Sequence, residues 1–441
     1  MKRLLAFVFI TLFTDPAIRF SVIASTDCAK DIESHSPTLR LRRHLFCDYD
    51  KAVRPSIHQN NATVVNLRLM PKFIEFDDHS NTLVIHAWMS MYWVDVNLKW
   101  TKDSFDAIDA IHVYSDEVWS PDISVYNSGD MGYEQSGVPR TSCILMSNGM
   151  TMCVLPVKYV TRCVADFKHW PFDRQNCTIR LGSWAHTGEE IDFHLTGHGI
   201  EMMDYTPNRE WKVLSANASK NVQKFKCCPE DSFPSVFFNL VLERYSEEMQ
   251  ATVIAPALLL ITITMTTLWL NPTSTERMVL ACFNLVCHLM VVQELYWELP
   301  WNGDAAPSIM IFHRNSMIIA GLVMLLTATL RQLKGMSIPA PIWLTSTATA
   351  ILDTKAGQFI LLASLDPKAS ASLDAEEDNA GLVQPSSPSA KINPGGPDAW
   401  HHFATLVDRL SVVAVLFTYA IMIIVLLPKN DLNNVPNLSR F

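Results

Sequence analysis

The stretch Cys163-Val-Ala-Asp-Phe-Lys-His-Trp170-Pro171-Phe172-Asp173-Arg-Gln-Asn-Cys177 decides how the chain is read. Its two cysteines enclose thirteen residues, Val164 to Asn176, around an aromatic-Pro-aromatic-Asp core. Eight of the ten cysteines lie before residue 250, which fits oxidised pairing in an exported segment. Cys143 and Cys153 flank Ser147-Asn148-Gly149 symmetrically, so a three-residue hairpin loop places them opposite each other. Cys28 and Cys47 remain as a third pair. Cys227 and Cys228 are adjacent, and a disulfide between neighbours closes a small strained ring that usually belongs to a site. Zinc is the rival reading, but no Cys-x-x-Cys or His pair stands at ligand spacing beside them, so no metal is expected.

Outward from this loop, the composition is that of a membrane protein. Apolar residues make up 49% of 441 and charged residues 18%, against about 25% charged in an average globular chain. That disfavours a cytosolic soluble enzyme and a disordered protein. The net charge of −9, with no long basic run, disfavours nucleic acid as a partner. Lys2, Arg3, the apolar run Leu4 to Phe13 and the small residues Val22 and Ala24 read as a signal peptide over 1–24. Four later runs are long and apolar enough to span a bilayer: Thr252 to Leu270, Met278 to Leu295, Ser316 to Leu330 and Leu410 to Leu427. Arg331 and Lys334 mark a cytoplasmic end after the third, which leaves both flanking halves outside and excludes a seven-span receptor. The expected organisation is an extracellular domain over 25–247, three spans within 248–334, a cytoplasmic disordered linker over 335–399, and a fourth span with an extracellular tail over 400–441. The linker's Asp366 to Ala399 has no aromatic residue and is rich in Ser, Pro, Ala, Gly and acids, too poor to fold alone.

The extracellular part reads as β-rich. Thr82 to Trp100 is almost continuously β-branched, aromatic or apolar, with Val84, His86, Trp88, Ser90 and Tyr92 on one strand face. Few helical periods accompany it, which predicts an immunoglobulin-like β-sandwich. Sequons at Asn61, Asn176 and Asn217, with a fourth at Asn437, are expected glycosylation sites on an exported surface.

The Cys163–Cys177 stretch resembles the signature loop of the Cys-loop pentameric ligand-gated ion channels in spacing and core. Trp119-Ser-Pro121-Asp122 resembles the family's Trp-x-Pro-Asp strand, and four spans with a long third-to-fourth linker complete the pattern. Adjacent Cys227-Cys228 is similar to the mark of a nicotinic acetylcholine receptor α-type subunit. The stretch from His44 to Pro55 resembles invertebrate members, in particular the nematode group that includes choline- and betaine-gated subunits. The resemblance implies a β-sandwich on a four-helix transmembrane bundle, assembled with four other subunits as a pentamer around a central pore. It implies a multi-pass protein of the plasma membrane, at a postsynaptic, neuronal or muscle cell surface, with no cofactor.

A quaternary ammonium ligand has diffuse charge and no donors, so an aromatic cage suits it. By resemblance, Tyr126, Trp184, Phe225 and Phe233 would line the principal face, beside Cys227 and Cys228, and Trp88 the complementary face. Phe225 and Phe233 stand where the family usually has tyrosines, and so does His186. These departures leave acetylcholine, choline and betaine as candidate agonists. In the second span, Glu276 and Glu294 are eighteen residues apart, five full turns, with Glu298 on nearly the same face. Five copies would form rings of negative charge that select cations. Val279, Phe283, Val286 and Met290 share that face as apolar pore lining, with Phe283 large for the place; Cys282 and Cys287 are expected to pack as hydrophobes. By resemblance the loop at Trp170 to Asp173 would rest on Leu299 to Pro307, and Asp173 would share an electrostatic network with Arg244. An accessory subunit without an agonist face is the alternative reading.

Overall fold

The computed structural model describes residues 36–58, 61–130, 138–301, 303, 305–336, 338, 341 and 398–427. The expected signal peptide, Cys28, Asn437 and most of the 335–399 linker lie outside these residues. The described residues open with helix α1 (Pro37–Phe46), which the scarcity of helical periods does not predict. Ser36 caps it by accepting from the Leu39 amide, Pro37 enters its first turn, and Leu41 and Leu45 on one face are buried.

Among the described residues ten strands follow: β1 (Thr63–Asp77), β2 (Thr82–Val94), β3 (Ala110–Tyr114), β4 (Ser124–Val125), β5 (Ser142–Met146), β6 (Met150–Arg162), β7 (Arg174–Gly182), β8 (Ile191–Ile200), β9 (Trp211–Phe225) and β10 (Cys228–Arg244). They form one sheet in the order β3-β5-β6-β2-β1-β8 and another in the order β4-β7-β10-β9. The pairings are antiparallel except β1 with β8. Alternation on β2 buries Leu83, Ile85, Ala87, Met89, Met91 and Trp93, and turns Val84, His86, Trp88, Ser90 and Tyr92 outward. Ile179, Leu181, Val236, Phe238 and Leu240 of the second sheet complete the sandwich core. β2 stops at Val94 because Asp95 begins a turn, accepting the Asn97 amide on its carboxylate. Gly149 stands at φ +83° in the β5–β6 turn, where a Cβ would meet the Asp95 carbonyl at 2.2 Å. That turn pairs Cys143 with Cys153, and they are disulfide-bonded, as are Cys163 and Cys177. Cys47 is also disulfide-bonded.

Below the sandwich, the described residues include four helices long and apolar enough to cross a membrane: α2 (Glu247–Trp269), α3 (Thr275–Glu298), α4 (Ser308–Lys334) and α5 (Asp398–Leu426). α4 begins before the expected Ser316, and α5 before the expected Leu410. Apolarity alone misses these turns because their polar members, His313 and Asp408, are buried in the bundle. Polar side chains join all four helices: Asn284 donates to Thr264 Oγ1 at 2.9 Å, His288 Nε2 lies 2.8 Å from Ser316 Oγ, and Ser316 Oγ lies 2.9 Å from the Tyr419 hydroxyl. Such groups in a bilayer need partners within the bundle.

Phe238 is fully buried at the centre of the sandwich. Phe238→Ala is expected to cost about 3–5 kcal/mol, read as a lowered unfolding temperature of the purified chain; a change under about 1 kcal/mol would contradict this core assignment.

Candidate functional site

The four-stranded sheet gathers the aromatic residues at one end. Ser124 of β4 and Ser235 of β10 both stand opposite Gly182 of β7. Trp184 therefore leaves β7 two residues beyond that row, and Phe233 enters β10 two residues before it. Tyr126 folds over the row. Its ring sits so close to the strand that a Cβ on Gly182 would lie 2.4 Å from its hydroxyl, so only glycine fits. The Tyr126 hydroxyl donates to the Ser183 carbonyl at 2.6 Å. The Tyr126 and Trp184 rings meet edge to face at 6.4 Å, and the Phe225 and Phe233 rings at 5.3 Å. The Gly188 amide, past Trp184, donates to the Ser232 carbonyl at 2.6 Å and ties the two pairs' loops together. Trp184 is 78% exposed, so its indole face is available.

Asp122 holds this loop, a residue whose role the sequence did not disclose. Its carboxylate accepts from the Ser183 hydroxyl, from the Trp184 amide at 3.2 Å and from the Ala185 amide at 2.9 Å. His186 Nδ1 lies 3.2 Å from the same carboxylate. The signal was the Trp119-Ser-Pro121-Asp122 motif, which the resemblance placed on a strand and which the structure places in the connection between β3 and β4. His186 thus points at Asp122, where a tyrosine would offer its hydroxyl.

Trp88 stands apart from these residues, 40% exposed on the outward face of the other sheet between Met70 and Pro156. One chain does not close a cage; the Trp88 face of a second copy would have to meet the first. The expected bond between Cys227 and Cys228 is not formed. Their Sγ atoms are 2.9 Å apart, against about 2.05 Å for a disulfide, and both are thiols. Cys227 sits in the two-residue turn and Cys228 is held in the ladder opposite Phe225, so ring closure would have to twist the peptide between them. Asn61 and Asn217 are exposed, whereas Asn176 lies within β7 with its amide Oδ1 buried.

At the base of the sandwich, Arg244 is the hub. Its Nε donates to Asp173 Oδ1 at 2.8 Å, and an Nη lies 2.7 Å from Asp78 Oδ2. The guanidinium stacks 4.3 Å over Trp211, and the two carboxylates raise its already high pKa against the opposing effect of burial. Asp173 itself also accepts from Gln175 at 2.8 Å. The Lys168 carbonyl of the cysteine loop accepts the Ser308 amide at 3.0 Å, just after buried Pro307, so this loop touches the start of α4. The turn before β2 reaches α3, with His79 Nε2 3.4 Å from the Trp297 carbonyl and Nδ1 2.9 Å from Asp78.

On α3, Glu276, Val279, Phe283, Val286, Met290, Glu294 and Glu298 are exposed, while Arg277, Ala281, Asn284, His288 and Leu295 are buried. Among the described residues, nothing covers this stripe. Cys282 is exposed beside it rather than packed, because the stripe is wider than one residue per turn. Glu294 and Glu298 lean towards α2, where with Glu248, Met249, Val253 and Pro256 they line a cavity of about 320 Å³.

Residues 38–246 match the family described as the neurotransmitter-gated ion-channel ligand binding domain. The chain is 30% identical over 294 residues to the neuronal acetylcholine receptor subunit alpha-2 of Gallus gallus, covering 65% of this chain and 55% of that protein. It is 28% identical over 291 residues to the alpha-5 subunit of Homo sapiens, 65% of this chain and 60% of that one. It is 30% identical over 287 residues to the human beta-3 subunit, 63% of this chain and 62% of that one. The chain thus spans somewhat over half the length of these relatives. These relatives are receptor subunits, not enzymes, and the chain is similar to them over the matched domain and beyond it. The four apolar helices and these relatives imply a multi-pass membrane protein.

Removing the Asp122 acceptor is expected to cost about 1–3 kcal/mol of ligand affinity, 5- to 150-fold, through loss of Trp184 placement; Asp122→Ala binding isotherms check this, and unchanged affinity would refute it. Asp78 beside His79 holds its imidazolium above the ordinary histidine range. The raised pKa means that the link to Trp297 is fully present below about pH 6.5 and is lost as pH rises through the raised value. Agonist sensitivity should therefore titrate above that pH in the parent and be flat in His79→Gln; matching profiles would contradict the link.

Proposed function

We propose that this chain is a subunit of a nicotinic-type ligand-gated cation channel, opened by a quaternary ammonium ligand bound between neighbouring subunits. The carrying observation is the convergence of the Tyr126–Trp184 and Phe225–Phe233 pairs at one end of the sheet, beside Cys227 and Cys228. Two exposed π faces without a nearby donor requirement suit a diffuse cation, worth about 2 kcal/mol or more per desolvated contact. Trp88 of an adjoining copy would close the cage, so the site needs neighbouring subunits, and the resemblance to the pentameric channels makes their number five. Binding there favours the open state in proportion to its preference for that state.

The path to the pore follows the junction. A movement of the Trp184 loop passes along β10 to Arg244, and from Arg244 to the His79 turn and the cysteine loop, which touch α3 and α4. Five Glu276 carboxylates at the inner mouth, with Glu294 and Glu298 at the outer one, would concentrate cations. Phe225 and Phe233 supply ring faces without hydroxyls, so the ligand's polar end is read elsewhere, as by His186. Choline or betaine fits this better than acetylcholine and favours an α-type subunit of the choline- and betaine-gated group. An accessory subunit is the second reading, favoured by Phe283, whose bulk would crowd a ring of five copies.

In this reading the chain lies in the plasma membrane of a neuron or muscle cell and is glycosylated at Asn61, Asn176 and Asn217. Displacement binding of the three candidate agonists to membranes tests the cage. Trp184→Leu is expected to weaken the best of them by about 30-fold or more, with His186→Ala changing the preference among them; an unchanged affinity in Trp184→Leu would overturn the cage.

A further inference from the structure

Glu276 and Arg277 are neighbours at the start of α3 and carry opposite charges. Successive helical residues point about 100° apart, so one can face the axis while the other turns into the bundle. Glu276 is exposed. Arg277 is fully buried. Its Nη1 donates to the Leu270 carbonyl at 2.8 Å and its Nε to Thr327 Oγ1 at 3.1 Å. The same Nη1 lies 2.8 Å from Asp408 Oδ1 of α5, whose side chain is 4% exposed. Nη1 points its hydrogens at carbonyls, so its tie to Asp408 is an ion pair more than a hydrogen bond. Lys334 and Arg409 lie in the same electrostatic neighbourhood and are both cationic.

This arrangement matters for the pore. An uncompensated cation one residue from each Glu276 would offset the field of the carboxylate ring. In a medium of low dielectric that offset reaches the lumen poorly screened. We propose that Asp408 is a selectivity-determining residue: it offsets the charge of Arg277 inside each subunit, so that Arg277 does not oppose the action of Glu276 on the ions. The inference rests on the reading of Glu276 as the inner charge ring. It assigns to α5, whose Asp408 lies 131 positions along the chain from Arg277, a part in ion conduction. The bland role, a buried pair that only holds α5 to α3, predicts effects on assembly alone.

The test is single-channel recording from assemblies of the full chain that conduct, with surface labelling to count them. D408N strands the Arg277 charge and is expected to lower inward cation conductance about threefold or more. R277M/D408N removes the stranded charge and should regain the parent conductance. E276Q should lower conductance as well. If E276Q has no effect, the reading of the charge ring fails. If E276Q lowers conductance and D408N does not, the ring stands and the role of Asp408 is overturned. Where D408N does not reach the surface, R277M/D408N is read against the parent. A gain of about threefold would show that ions sense Arg277 despite Asp408, and would equally overturn the proposal.

Discussion

The fold's working parts meet at one buried guanidinium. Arg244 ends β10, and its charge is shared between Asp173 of the cysteine loop and Asp78 of the β1–β2 turn while its face lies on Trp211. Removing Arg244 leaves the buried Asp173 carboxylate without its ion partner, a loss of about 3–5 kcal/mol in comparable sites. Because β10 also carries Phe233 at its other end, the same strand connects the aromatic site to the helices. The sandwich core makes that strand stiff, since its inward residues from Val236 to Leu242 are buried.

The membrane part repeats this logic with less water. His288, Ser316, Tyr419, Asn284 and Thr264 pair among themselves, and Arg277 pairs with Asp408. Each helix is therefore bound to the next by groups that would be costly to leave unpaired in hydrocarbon. The α3 face left without such partners is the apolar stripe from Val279 to Met290 with carboxylates at its ends. A helix with one face fixed by polar bonds and the other free suits an element that rotates or tilts as a unit.

Much of this was legible in the sequence, for physical reasons. Apolar runs of about twenty residues announce spans by length alone. The period-two pattern within Thr82 to Trp100 put Val84, His86, Trp88, Ser90 and Tyr92 on one face of a strand, while the end of β2 at Val94 and the choice of the buried face came only with the structure. The spacing of Glu276 and Glu294 placed them on one face because helical geometry allows nothing else. What stayed hidden depends on distant partners. Asp122 is an ordinary carboxylate until Ser183, Trp184 and Ala185 fold against it, and Asp78 becomes Arg244's second partner only once the β1–β2 turn is in place. The thiol state of Cys227 and Cys228 turns on a single turn's geometry, and the early start of α5 on the burial of Asp408. Helix α1 was missed because one short helix contributes few periods.

The central claim is that binding at the sheet's end opens a cation path along α3. Voltage-clamp of cells expressing the chain, alone and with candidate partner subunits, while acetylcholine, choline and betaine are applied in turn, tests it most directly. The account predicts an agonist-evoked current that reverses near the cation equilibrium potential. A current that reverses with the chloride gradient, or surface-expressed chain that neither conducts nor changes any partner's current, would contradict it.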